Sequence, residues 1–273
     1  MDMINQKNYF ALIAEKSPYL FDDLNQINLV DNNIEFTFDQ SFDFFKRENF
    51  SDLIKTLSTV GSLNLAHKIN STSLNYFLAE KIRIRKTSFS QPHGLLIAKV
   101  NSQLFDDRKG KSLIEIENQN TTIYKFEIDY YIINKLSFEK IFTEYYNPEK
   151  VFTLASELPV IKIKYISETE FLLIIDKIKQ NHCLGHFENY PIVPAVFITK
   201  CIMSSIFKII PKNSSQDIEV DSLELFLNKA MPINTIFNVN VKIFTYLKNL
   251  KTYKCTVSDG KTEYGHYLIT LKS

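Results

Sequence analysis

The stretch Gly185-His186-Phe187-Glu188-Asn189-Tyr190-Pro191-Ile192-Val193-Pro194-Ala195-Val196-Phe197 decides how the rest of the chain is read. Pro191 and Pro194 keep the backbone extended and withhold amide donors, and Pro194 suits the first position of a helix, where a missing N–H costs nothing. The apolar run from Pro191 to Ile210 contains both prolines and Lys200, so it reads as a buried helix and not as a membrane span. His186 is thereby pinned beside a helix N-terminus. Free amides there can polarise a carbonyl, and an imidazole alongside can move a proton on the neighbouring carbon.

These residues resemble the G-H-F-P-x-x-P-I/V-x-P-G signature of hotdog-fold 3-hydroxyacyl-acyl-carrier-protein dehydratases, matching at Gly185, His186, Phe187, Pro191, Ile192 and Pro194. The chain departs from it at Glu188, where the family has proline, and at Ala195, where it has glycine. Counted along the motif, the family's catalytic carboxylate falls on Lys200. The resemblance therefore implies a dehydratase relative whose acid has been replaced. It also implies an α+β fold in which a curved antiparallel sheet wraps one central helix.

Bulk composition narrows the setting. With 45% hydrophobic and 23% charged residues the chain is a folded globular one, and 273 residues suffice for two ordinary domains. A net charge of +1 offers no electrostatic reason to expect nucleic acid or an acidic membrane surface. Cys183, Cys201 and Cys255 are an odd, scattered set, which argues against a disulfide framework and for a reducing cytoplasm. The N-terminus lacks the basic flank and apolar core of a secretory signal.

A gapless alignment of Gln40–Lys55 with Gly185–Lys200 sets Ser41 under His186, Phe42 under Phe187 and Lys55 under Lys200. In each half a helix follows, about Phe50–Ile69 and Pro194–Ile210, then strands. Lys81–Lys86 alternates apolar and charged residues, and Leu223–Leu227 is its counterpart. Longer strands are predicted over Leu95–Phe105, Ser112–Glu117, Ile123–Ile133, Ile236–Leu247, Thr252–Val257 and Tyr264–Leu271. This order predicts a double hotdog, one unit over 1–145 and a second over 146–273, joined near a short helical stretch at Phe138–Glu144. The first 20 residues are expected to form a leading helix that closes the first unit.

In the resembled dehydratases the site forms between two hotdogs, with histidine from one and a helix carboxylate from the other. The resemblance thus makes His186 the base and points to Asp52 or Lys55 on the first helix as the acid, with Phe187, Pro194, Ala195 and Val196 binding substrate. Asp52 has a second reading, as a first-turn partner of the helix dipole beside Ser51. Lys55 also has one, as a lysine carrying its charge to solvent, and His186 has one as an idle histidine hydrogen-bonded near the helix start. The opposite pseudo-site would hold Ser41 and Lys200. His182 and His186 have H-x-x-x-H spacing, but Gly185 and the prolines argue against the helix a metal pair needs, so no metal and no cofactor is expected. His67 reads as a cation at a helix C-terminus, His93 as a turn residue and His266 as a strand residue.

Three functions follow from this reading. The first is an acyl-thioester lyase of the dehydratase type in a fatty-acid or polyketide pathway. The second is a non-catalytic double hotdog binding acyl-carrier protein or a dehydratase or ketosynthase partner. The third is a hotdog thioesterase or acyltransferase.

Overall fold

Phe50–Ile69 (α1) is buried on most of its faces, its small polar residues Ser51, Thr56, Thr59 and Ser62 included, a pattern that fits a helix enclosed by sheet. Leu53, Ile54, Leu57, Val60, Leu63 and Leu65 are all buried, and the aligned amides at its N-terminus find Asp52 in the first turn. Ala195–Ile209 (α3) is the corresponding helix of the second half, with Ile198, Cys201, Ile202 and Ile206 buried and Pro194 as its N-cap residue. Between them a short helix, Lys135–Ile141 (α2), starts at Asn134, whose side chain accepts a hydrogen bond from the Ser137 amide. The computed structural model describes residues 10–20, 27–39, 49–69, 73–88, 94–210 and 218–273.

The first half contributes β1 (Ile27–Val30), β2 (Asn33–Asp39), β3 (Asn75–Lys86), β4 (Leu95–Leu104), β5 (Lys109–Asn118) and β6 (Thr121–Asn134). The second contributes β7 (Ile161–Tyr165), β8 (Glu170–Ile175), β10 (Glu219–Leu227), β12 (Phe237–Leu247), β13 (Leu250–Ser258) and β14 (Glu263–Lys272). They form one twelve-stranded antiparallel sheet in the order β1-β2-β4-β5-β6-β3-β10-β14-β13-β12-β8-β7. Read outward from the joint, the halves share one topology, with the helix inserted after the second strand of each. The chain is a double hotdog.

The joint is where the sequence alternation is cleanest. β3 and β10 pair with Ile82 opposite Leu225 and Ile84 opposite Leu223, all four buried, while Lys86 of β3 forms an ion pair with Glu219 of β10. Each half thus covers the edge strand of the other, which an isolated hotdog would leave open to other chains. A two-stranded ribbon of Ile192–Val193 (β9) and Met231–Pro232 (β11) lies outside this sheet and leads into α3.

Two sequence expectations need correction. The leading helix expected in the first 20 residues does not run through 11–20, and residues 1–9 lie outside the described ones; Ile13 instead makes a parallel bridge to Asn75 of β3, and the Asn75 amide donates to the Leu12 carbonyl. Pro18, which cannot supply a helical N–H, fits this irregular strap better than a helix interior. The short helix spans Lys135–Ile141 and passes into a 3-10 turn at Thr143–Tyr145, because Phe138 is the residue that inserts, stacking on Tyr76 at 3.5 Å. No described helix is long and apolar enough to cross a membrane.

Candidate functional site

Gly185 sits in the left-handed region at φ +84°, which bends the chain so that its carbonyl accepts a 2.6 Å hydrogen bond from the Lys16 amide of the strap. A Cβ at this position would lie 2.3 Å from the Lys16 carbonyl oxygen and 2.9 Å from the Tyr19 nitrogen. The first residue of the motif is therefore a glycine because another piece of backbone occupies the space a side chain would need. That hydrogen bond ties the strap to the motif loop one residue from Glu15 and one residue from His186, and both of those residues line the same cavity.

His186 is held by its own loop. Its amide donates to the Cys183 carbonyl at 3.0 Å, and its Nδ1 lies 3.0 Å from the Ile192 carbonyl oxygen. A carbonyl oxygen only accepts, so Nδ1 carries the hydrogen and Nε2 presents a lone pair. Burial pushes the imidazole pKa down to about 4, outweighing the Ile192 carbonyl, which favours the cation. The ring stacks on Phe187 at 4.0 Å and meets Tyr19 at 4.8 Å. A neutral, tautomer-fixed histidine is the form that can take a proton.

His186 opens onto a cavity of about 460 Å³ between the halves. β3 and β6 wall it on one side; β9, the start of α3 and the 227–231 segment wall it on the other. Its surface end carries the exposed Glu80, Ile141 and Lys229, and its inner end carries Glu15, Ser58, Ser62, Tyr130 and His186. Ala195 and Val196 also line it, and their amides precede the first rung of the α3 ladder, which is Phe197 N–H to the Pro194 carbonyl at 3.0 Å. A thioester oxygen placed there would meet the positive end of the helix.

Glu15 is the acidic group of the inner end. It is 5% exposed, its Oε2 has no hydrogen-bond partner among the described residues, and burial pushes its pKa up to about 7 against the lowering effects of its own amide and Lys16. Tyr130, whose hydroxyl donates to the Ser58 carbonyl at 2.7 Å, and Tyr19 are both held in the neutral form by burial.

Among the residues singled out in the sequence, His186, Phe187, Ala195 and Val196 line the cavity and Pro194 caps the helix that ends on it. Asp52 and Lys55 are not among the lining residues. Asp52 of α1 instead pairs with Lys200 of α3, Oδ2 to Nζ at 3.0 Å and Oδ1 at 3.2 Å, and Lys55 Nζ stands 5.4 Å over the Tyr19 ring. Ser41 and His93 lie outside the described residues. His67 is held below its usual pKa by burial and Lys68, so the helix-end cation there is Lys68. The His182 Nδ1 accepts from the Lys179 amide, and no metal-binding cluster of three His, Cys, Asp or Glu forms among the described residues. His266 Nε2 faces Glu263 at 2.8 Å. Glu15, Tyr19 and Tyr130 carried no sequence signal, since each joins the site through tertiary contact alone.

No protein-family model and no curated protein matches this sequence. Solved structures do match. A protein from Lactobacillus plantarum assigned as an oleoyl thioesterase is similar with a TM-score of 0.57 at 6% identity over 88% of this chain and 95% of that one. The 12:0-ACP thioesterase from Umbellularia californica is similar with a TM-score of 0.52 at 7% identity, over 94% and 99%. An acyl-CoA thioesterase II from Mycobacterium marinum follows with 0.50 at 4% identity, over 90% and 94%. At such identities the likeness is one of fold.

Proposed function

We propose that this chain acts on acyl thioesters as a 3-hydroxyacyl dehydratase, taking its substrate from acyl-carrier protein or coenzyme A, with units 1–145 and 146–273 enclosing one reactive centre. The observation that carries the reading is the fixed tautomer of His186 on an apolar cavity that is also lined by Ala195 and Val196 at the N-terminus of α3. Removing the proton α to a thioester carbonyl needs a neutral base and somewhere for the developing oxyanion charge to go. Nε2 supplies the first, and the Ala195 and Val196 amides supply the second. Phe187 stacks on the imidazole and fixes its plane.

Hydrolysis of the thioester is the second reading, and one observation favours it. A carboxyl titrating near 7 is partly ionised at neutral pH, so Glu15 could activate water against the carbonyl. The two chemistries separate by product. Purified chain is given 3-hydroxyacyl thioesters of coenzyme A and of acyl-carrier protein, and enoyl-thioester absorbance and free thiol are followed together. Enoyl formation that His186→Ala abolishes is the expected result. Thiol release without enoyl product would move the assignment to hydrolysis. Tight thioester binding with neither product would make the chain a non-catalytic subunit.

A further inference from the structure

We infer that Glu15 is the general acid of this site, delivered to His186 by the N-terminal strap instead of by a central helix; the inference rests on the dehydratase reading above. The geometry is specific. The Lys16 amide and Gly185 carbonyl are hydrogen-bonded at 2.6 Å, and the residue before Lys16 and the residue after Gly185 both line the same cavity. The strap is anchored on both sides of Glu15. Upstream, the Asn75 amide donates to Leu12 at 2.8 Å, and downstream the Lys16 carbonyl accepts from the Tyr19 and Leu20 amides.

Burial favours the protonated form of Glu15 below about pH 7, and the charges around it do not outweigh that effect. Lys16 is its neighbour in sequence, but the Lys16 ammonium donates to the carbonyls of Phe10 and Ile13 at 3.1 and 3.2 Å. Tyr130 of β6, Tyr19 of the strap and His186 of the motif loop are the other titratable groups facing the inner end, and all three are neutral. A buried carboxyl oxygen without a partner among the described residues is costly, and a catalytic role is one reason such a group is kept. The other carboxylate lining the cavity, Glu80, is exposed at its surface end.

The elimination then balances. The Cα–H bond breaks and its proton goes to His186 Nε2. The Cα=Cβ double bond forms, and the Cβ–O bond breaks with its electron pair on oxygen. Glu15 gives that oxygen its proton, so water leaves. The site is left with imidazolium and carboxylate, and a proton passing between them restores the starting state. The pairing of a base titrating near 4 with an acid titrating near 7 puts both groups in the required form between those two values, and leaves part of the Glu15 population protonated at neutral pH.

The test uses the full chain, with Glu15→Gln and His186→Ala, and two reactions. One is conversion of a 3-hydroxyacyl thioester to the enoyl product. The other is deuterium exchange at Cα of a saturated acyl thioester, which needs the base and the helix amides but no acid. Glu15→Gln is expected to lose about 10²–10⁴-fold in elimination while keeping exchange; His186→Ala is expected to lose both. Elimination within tenfold of wild type in Glu15→Gln would overturn the assignment, as would loss of exchange together with elimination in that variant. A wild-type chain that performs neither reaction would instead refute the dehydratase reading. In that event NMR titration of ¹³C-labelled glutamate still decides the state of Glu15: a carboxyl titrating near 7 is expected, and one titrating in the ordinary range near 4.5 would remove the acid.

Discussion

Replacing Gly185 by alanine attacks the contact on which the site is built. Its Cβ would fall 2.3 Å from the Lys16 carbonyl oxygen, a backbone atom that cannot swing aside as a side-chain tip would, so the strap has to move. Holding alanine at φ +84° adds about 1–2 kcal/mol. Losing the Lys16–Gly185 hydrogen bond removes a net of about 0.5–1.5 kcal/mol. Together these amount to roughly 1.5–3.5 kcal/mol, below the ~5–15 kcal/mol that holds a domain folded, so the protein stays folded while the docked strap loses about 10- to 400-fold in population against the undocked one. Gly260→Ala is the control, because it shares a positive φ of 91° but meets nothing within 4 Å. Hydrogen-exchange mass spectrometry is expected to show faster exchange in residues 10–20 for Gly185→Ala only, with a parallel loss of turnover. Equal strap exchange in the two variants would refute the clash argument.

The remaining expectations concern charge and burial. Glu15, raised from 4.5 to about 7, contributes stability that is fully present below pH 4.5 and lost as pH rises through 7; His186, lowered from 6.5 to about 4, contributes stability present above 6.5 and lost as pH falls through 4. Each is on the order of 3 kcal/mol, so their slopes oppose between pH 4.5 and 6.5; urea unfolding should give a nearly flat wild-type profile there and a rising one for Glu15→Gln, and matching profiles would contradict the burial of Glu15. Asp52→Asn should cost about 1 kcal/mol or less, since the Asp52 and Lys200 side chains are 36% and 37% exposed, and should leave elimination intact. A hundredfold loss there would return the acid to α1. Burial pushes the Cys183 and Cys201 thiols up to about 12 and raises that of Cys255 as well, so none should react with a thiol reagent before unfolding; rapid labelling of the native chain at neutral pH would place them wrongly.

What could be read from the sequence was what local pattern determines. Ala195–Ile209 stands out as an apolar run too long for a strand, Phe50–Ile69 as a stretch of helix length with apolar residues recurring at Leu53, Leu57 and Val60, and the charged-apolar alternation of Lys81–Lys86 identifies a half-buried strand. Shorter elements escaped. Ile161–Tyr165 is a five-residue edge strand with two lysines, a composition that suits an unpaired edge and resembles a loop. β2 does alternate, with Ile34, Phe36 and Phe38 buried, but it stops before the segment that was aligned with the histidine motif. The position of Glu15 was beyond any local pattern. A glutamate followed by a lysine looks solvated, and its burial follows from a strap that crosses to the other half of the chain.

The tandem architecture explains why the acid would come from that strap. Lys55 and Lys200 occupy the aligned helix positions, and α1 and α3 pack against each other so that Lys200 meets Asp52. The helix carboxylate of α1 is thus committed to a cation of the partner helix, outside the cavity. A protonatable group for the His186 centre then has to arrive from outside the repeated helices. The segment before β1 does this, docking on Gly185 and burying Glu15; the segment before β7 does not, leaving Phe152 85% exposed and Val160 63% exposed. Duplication gives two similar shells; among the described residues the first shell's leading segment reaches across to the other's histidine loop, whereas the second shell's leading segment runs along its own, the Asn147 amide donating to the Asn189 carbonyl at 2.8 Å. The asymmetry of those leading segments, more than any difference between the helices, gives the chain a single reactive centre on this reading.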